Sequence, residues 1–178
     1  MGAFFRSYDE AWEAFLVREE PLEDFFASWP EDEGYIASVW LIEPPAAVKE
    51  AALRLQESFA ALGWVVPTPR HFLHVALGLS PWRPRLESPV DIEYRHVNAF
   101  HDAVIVEAHS PQLAALYDED TALPHLTIGY PRGGPAAPLR DAELGRQRVE
   151  EVMLVQVPAA RTTQLRPWAV EEVVRLTG

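Results

Sequence analysis

Apolar side chains first recur at helical spacing near the start of the chain, where Trp12, Phe15 and Leu16 follow a Ser7 to Glu10 capping-box pattern; residues 8 to 19 are predicted to form an amphipathic helix. Pro21 opens a second short turn, made sticky by Leu22, Phe25, Phe26 and Trp29. Such a segment is expected to pack on the body of the protein, with docking to a partner as the other reading. The run YIASVWLI (35 to 42) is apolar on both faces, as a central strand requires. Pro44 and Pro45 stop it, and Val48, Ala52, Leu55, Phe59 and Leu62 trace a helical stripe that ends at Gly63. The strand HVALGL (74 to 79) closes a strand, helix, strand unit. Ser80 to Val90 holds three prolines and reads as an irregular loop.

A second unit follows. Strands over 92 to 100 and 103 to 108 flank a turn at His101 and Asp102, Ser110 and Pro111 start a short helix through Tyr117, and HLTIGY (125 to 130) is the closing strand. Beyond Gly133-Gly134-Pro135 the pattern suggests a helix over 139 to 148. Strands over 149 to 157 and 168 to 176 then form a hairpin that could extend one lobe's sheet, with Arg161, Thr162 and Thr163 in a candidate rim loop.

The two closing strands carry the same spelling: histidine, aliphatic, small residue, aliphatic, glycine. Alternation places His74, Ala76 and Gly78 on one face, and His125, Thr127 and Gly129 on one face of the other copy, leaving Leu126, Ile128 and Tyr130 to anchor the strand. Two histidines delivered from two related strands could face each other across a cleft as an acid and base pair. A lone histidine on an apolar strand is ordinarily a packed residue; the repetition is what lifts this pair above that reading. His96, His101 and His109 fall at strand ends or turns and read as surface residues.

Composition narrows the classes. With 178 residues and 48% apolar side chains the chain can fill the core of one domain or two small lobes. It has no cysteine, which removes disulfides, thiolate metal sites and a cysteine nucleophile. The start lacks a basic region followed by a long apolar stretch, and no run reaches the length of a membrane span, so a soluble cytoplasmic protein is expected. The net charge of −12 is concentrated: residues 1 to 33 hold ten acids against Arg6 and Arg18, a balance of −8, and the remainder carries 13 − 17 = −4. Nothing supplies the broad basic surface that a long duplex needs, whereas a small anion remains compatible with the arginines that follow residue 130. His71 and His74 could share a helical face as metal ligands, but the strand reading removes that geometry, and no metal or other cofactor is expected.

The histidine strands resemble the signature of the two-histidine (2H) phosphoesterase superfamily, which includes 2′-5′ RNA ligase-like proteins and cyclic nucleotide phosphodiesterases. Its motif is His-x-Thr/Ser-x, twice. His125-Leu126-Thr127-Ile128 fits fully; His74-Val75-Ala76-Leu77 keeps the histidine but has alanine in place of the hydroxyl. The resemblance spans about residues 35 to 176 and leaves residues 1 to 33 outside as an acidic helical extension, with 34 to 178 as the main domain. It implies an α+β fold of two pseudo-symmetric lobes of antiparallel-type sheet, with outer helices and a central cleft. It also implies metal-free hydrolysis of a phosphodiester, most simply a 2′,3′-cyclic phosphate on a small nucleotide or an RNA end. His74 and His125 would be the acid and base in either order, with Thr127 a phosphate donor. Arg132 or Arg70 is the expected substitute for the hydroxyl missing at Ala76, since Ser80 is offset and His71 points to the opposite face of a regular strand. Tyr130, Trp82, Tyr94 and Phe100 are candidates to stack a base, though each also suits packing. The alternative is a weakened or non-catalytic module that binds a nucleotide or phosphorylated ligand. Oligomeric state is open.

Overall fold

A computed structural model of the chain describes residues 5–24, 36–60, 63, 65–116, 123–132, 140–158 and 167–177. Helix α1 (Tyr8–Leu16) starts where the capping pattern placed it: the Ser7 hydroxyl accepts the Glu10 amide and the Glu10 carboxylate accepts the Arg6 amide. It ends three residues before the predicted end. Strand β1 (Ile36–Ile42), helix α2 (Ala46–Ala60), a short strand β2 (Val65–Pro67), a 3-10 turn at Arg70–Phe72 and strand β3 (Val75–Leu79) make the first unit. Strands β4 (Val90–Ala99) and β5 (Val104–His109), the one-turn helix α3 (Pro111–Ala114) and strand β6 (His125–Pro131) make the second. Strands β7 (Glu143–Val149), β8 (Glu151–Pro158) and β9 (Ala169–Arg175) complete the described residues. The expectations on Phe25, Phe26, Trp29, Tyr117, the 133 to 135 glycine turn and the 161 to 163 rim loop lie outside them. Among the described residues no helix is long and apolar enough to cross a membrane.

The strands form an antiparallel sheet in the order β7-β4-β5-β6-β3-β1-β8-β9, with β2 added beside β6. Two four-stranded halves, β9-β8-β1-β3 and β7-β4-β5-β6, meet at β3 and β6 through a single registered pair, Val75 with Leu126. This is the α+β architecture of two related lobes, and the hairpin β8-β9 extends the first of them.

The sheet has two unlike faces. On one, Trp40, Ile42, Val75, Leu77, Val104, Val106, Leu126 and Ile128 pack with Val48 and Ala52 of α2 and Leu113 of α3 in the main core. On the other, Leu41, Met153, Val155 and Val157 gather with Phe72 and Trp168 in a second, smaller cluster. We call these the helix face and the histidine face. Helix α1, part of the N-terminal extension, lies against the histidine face of the second lobe: the Tyr8 carbonyl accepts from Asn98.

The paired glycines mark a feature that simple alternation did not anticipate. Leu41 pairs with Ala76 but its neighbour Trp40 pairs with Gly78, and in the other lobe Ile105 pairs with Thr127 while Val104 pairs with Gly129. Each histidine strand therefore carries one extra residue, a β-bulge, at the same place. The bulge turns Gly78 and Gly129 away from the histidine face and toward the core, correcting the expectation that they share a face with the histidines. It brings Tyr130 round to the histidine side. A side chain at Gly129 would strike Val65, and one at Gly78 would meet the Trp82 ring at 2.7 Å, so close packing accounts for both glycines.

A second correction concerns residues 139 to 148. Of these, 140 to 148 are described, and they lead into and form strand β7 rather than a helix, pairing with β4 from Val90↔Val149 to Arg95↔Glu143. Leu144 and Val149 are buried while Arg146 and Arg148 are exposed, an edge strand whose sequence carries no helical stripe. The short strand β2, also unanticipated, uses Val65 and Val66 just ahead of Pro67 and Pro69.

Gly129→Ala is expected to lower stability by about 1 to 3 kcal/mol, since the opposing Val65 is held in the core. Gly78→Ala is expected to destabilise as well, through a backbone held at φ +159°, although the Trp82 ring it would meet is 41% exposed and can move. Urea unfolding of the two variants checks both; an unchanged midpoint in either would contradict the account.

Candidate active site

His125 opens β6 and His74 directly precedes β3. Continuing the Val75↔Leu126 register by one residue each way sets His74 beside Thr127 and Ala76 beside His125. All four then lie on the histidine face, with the histidines as diagonal neighbours; such pairs have Cα atoms about 7 to 8 Å apart.

Each imidazole is fixed in the same way. His74 Nδ1 lies 2.6 Å from the Phe72 carbonyl, and His125 Nδ1 lies 2.6 Å from the Leu123 carbonyl. A carbonyl oxygen only accepts, so each Nδ1 carries a proton and each neutral ring keeps its lone pair on Nε2. An aromatic ring packs edge-on to each: Trp168 on His74 (5.3 Å between centroids) and Phe100 on His125 (4.9 Å). The repeated motif thus builds a repeated environment, down to the tautomer.

The electrostatics break the symmetry. Burial lowers the His74 pKa to about 4 against the opposing effect of the Phe72 carbonyl, and the charges of His125 and Lys49 lower it further. Burial also lowers that of His125, but the Leu123 carbonyl and the Asp102 carboxylate both oppose the shift. Asp102 itself is raised, mainly by burial and also by Glu23, with its own backbone amide, His101 and His125 acting the other way. The charge of His125 acting on His74 is the electrostatic sign that the two rings lie near one another. His74 therefore sits in the more cationic corner and His125 in the more anionic one.

Placement of the other candidates is uneven. Thr127 and Ala76 lie beside the histidines, as above. Tyr130 is on the same face but 7% exposed and three positions beyond Thr127. Arg132 follows the far end of β6, about 20 Å along the strand from His125 at ~3.3 Å per residue. Arg70 is in the 3-10 turn and turns to Glu50, 2.9 Å away. Arg70 is thereby committed to Glu50. His71 is exposed in the same 3-10 turn. Trp82 lies over Gly78 on the helix side, and Tyr94 is fully buried in the core, so neither faces the pair.

Sequence reasoning passed over Asp102, Lys49 and Trp168. Asp102 read only as a turn residue, Lys49 as one helix position and Trp168 as a strand start; their approach is made by folding, without a local signal. Two larger cavities lie elsewhere. One, about 660 Å³, is lined by Glu43, Lys49, Arg70, Gln147 and Arg148 among others; the second, about 910 Å³, runs between the proline-rich loop and α3. Both lack the histidines. In the first, Lys49 and Arg70 are already paired with Glu43 and Glu50. Among the described residues no group of three or more histidine, aspartate or glutamate side chains is arranged to hold a metal ion.

The depressed histidine pKa values make a stability prediction with a definite sign. The unfolded chain takes up protons as pH falls through about 6.5, while folded His74 stays neutral down to about 4, so stability is expected to fall across that window. His74→Gln is expected to flatten that fall, measured as urea midpoints between pH 7 and pH 4; an unchanged slope would contradict the assignment.

The chain matches no family model and no curated protein sequence. Solved structures do match it. TT0787 of Thermus thermophilus aligns with a TM-score of 0.65 at 16% identity, covering 79% of this chain and 97% of its own. Escherichia coli LigT, in a structure complexed with ATP, aligns with a TM-score of 0.64 at 15% identity, covering 80% and 98%. A structure described as a phosphoesterase gives 0.65 at 14%, covering 81% and 100%. LigT has also been crystallised with 3′-AMP and with NADP+. Nearly the whole of each of these proteins is matched, while about a fifth of this chain lies outside them. The curled antiparallel sheet is thus a fold shared with LigT and these structural neighbours.

Proposed function

We propose that this chain is a phosphoesterase of the two-histidine kind, acting without a metal on a phosphodiester of a small nucleotide or RNA end, most simply a 2′,3′-cyclic phosphate. The observation that carries the reading is the shared histidine face, where two imidazoles pinned through Nδ1 leave two Nε2 atoms for one ligand. The nucleotides in the LigT structures support it at the level of ligand class.

The charges around the pair assign the roles. His74, whose pKa is lowered mainly by burial, to about 4, is the base: its Nε2 takes a proton from water as the water oxygen attacks phosphorus. His125, biased toward its protonated form by Asp102, is the acid: it gives a proton to the ribose oxygen as the P–O bond breaks. The product is a phosphomonoester, and proton exchange with solvent resets the two rings. An anionic phosphate between them favours the protonated form of both and so offsets the desolvation that lowers them. The Thr127 hydroxyl, next to His74, donates to a phosphate oxygen. At the opposite corner the Ala76 methyl offers no donor, so charge developing there is stabilised from one side only.

That gap motivates the second reading, a module that binds a nucleotide and turns it over slowly or not at all. Turnover of 2′,3′-cyclic nucleotides in EDTA separates the two. The enzyme reading expects hydrolysis that falls by about 10²- to 10⁴-fold in His74→Ala and in His125→Ala. Ala76→Thr is expected to raise kcat, on the order of 10- to 100-fold, by restoring the second donor. Retained binding with no turnover, in the natural sequence and in Ala76→Thr alike, would leave the module and contradict the enzyme.

A further inference from the structure

The N-terminal segment is built over the histidine face of the second lobe. On the second lobe the residues sharing the histidine face beside His125 and Thr127 are Glu107 and Ile105 of β5, then Asn98 of β4. Glu107 is 0% exposed and Asn98 1%, although both are polar and face what would otherwise be open groove. Burying a carboxylate this way requires charge partners and hydrogen bonds around it. Arg140 pairs with one Glu107 oxygen, which also accepts from Asn98, and His109 meets the other at 2.7 Å.

Helix α1 and the residues before it form the cover. The Tyr8 carbonyl accepts from Asn98 at 2.8 Å, and the Tyr8 hydroxyl donates to the carbonyls of Ala108 and Pro124, the latter immediately preceding His125. The Tyr8 ring lies 4.8 Å from His109. Trp12 stacks under the Arg140 guanidinium at 4.9 Å, and Asp9 approaches the same group at 3.5 Å. Phe5 stacks on Phe100 and on His101, with centroids 5.8 and 5.4 Å apart, and Phe100 is the ring that packs on His125. A continuous chain of contacts therefore runs from the N-terminal segment to a catalytic ring. On the first lobe no such cover of charged residues exists among the described contacts: the histidine face there is the apolar cluster of Leu41, Met153 and Val155.

The cover is also charged against nucleic acid. Between residues 5 and 24 there are seven acids (Asp9, Glu10, Glu13, Glu19, Glu20, Glu23 and Asp24) and two arginines, 2 − 7 = −5. A polynucleotide lying along the groove past His125 would meet the bulk of Tyr8 and Trp12 and then this negative surface, with phosphates about 6 to 7 Å apart along its own backbone to repel. A mononucleotide ends before that point.

We propose that residues 5 to 24 are a specificity element that closes the second-lobe end of the groove and limits the substrate to a mononucleotide-sized phosphodiester, excluding oligonucleotide ends. The proposal rests on the function above, and narrows it from "small nucleotide or RNA end" to the first of these. Tyr8, Trp12 and Phe5 act by exclusion and touch no reacting atom.

The test compares 2′,3′-cyclic AMP with a seven-nucleotide RNA bearing a terminal 2′,3′-cyclic phosphate, on the full chain and on Trp12→Ala, Phe5→Ala and the double variant Tyr8→Phe with Trp12→Ala, each checked for folding by circular dichroism. The full chain is expected to favour the mononucleotide by at least tenfold in kcat/KM. Loosening the cover is expected to raise kcat/KM for the RNA severalfold with the mononucleotide rate within about threefold. Equal use of both substrates by the full chain, or parallel changes in both in the variants, would overturn the proposal. Phe5→Ala removes one ring without disturbing the Glu107 cluster, so it decides the matter if the others unfold. If neither substrate is hydrolysed, the function falls, and the exclusion is read instead from binding of 3′-AMP against a 3′-phosphorylated heptamer: preference for 3′-AMP, relaxed in Phe5→Ala, upholds it, and equal binding or none by either ligand overturns it.

Discussion

The whole arrangement depends on one contact between the two halves of the sheet. Val75 and Leu126 are the registered pair that joins β3 to β6, and both are fully buried. Because strand residues alternate, that single pairing fixes which flanking residues lie on the far side: His74 and Ala76 on one strand, His125 and Thr127 on the other. A slip by one residue would send the histidines into the helix-side core, where an unpaired imidazole is costly. The apolar side chains on the helix face thus hold the polar ones on the histidine face in place.

The two bulges complete the geometry. In each strand the register gains a residue after the motif, and the glycine there meets a close neighbour, Trp82 in one lobe and Val65 in the other. What separates the lobes is charge. Burial lowers both rings; the charges of His125 and Lys49 add to that at His74, whereas Asp102 opposes it at His125, and the proposed division of roles rests on this difference.

Much of this was legible in the sequence, for reasons that differ by residue. The duplicated spelling of HVALGL and HLTIGY exposed the strands, their shared face and the missing hydroxyl at Ala76, because strand alternation is local. The Ser7 and Ser110 caps located two helix starts for the same reason. The bulges were not legible: a glycine in a strand has several meanings, and only its partner on the next strand distinguishes them. Nor was β7, whose identity comes from the long-range pairing with β4, or the docking of α1, which depends on Arg140 and Glu107 meeting across 33 positions of chain. Asp102 and Lys49 reach the site through tertiary folding alone. Arg70 shows the reverse failure, a residue near in sequence that the fold commits to Glu50.

The central claim is that His74 and His125 serve one ligand. Nitrogen-15 NMR of the six histidine rings, titrated with inorganic phosphate across pH 4 to 8 and assigned with His74→Ala and His125→Ala, tests it most directly. The account predicts that phosphate shifts the Nε2 resonances of both rings at a common affinity and raises both pKa values, with the neutral form of each protonated at Nδ1. Response of one ring alone, or of neither, would contradict it.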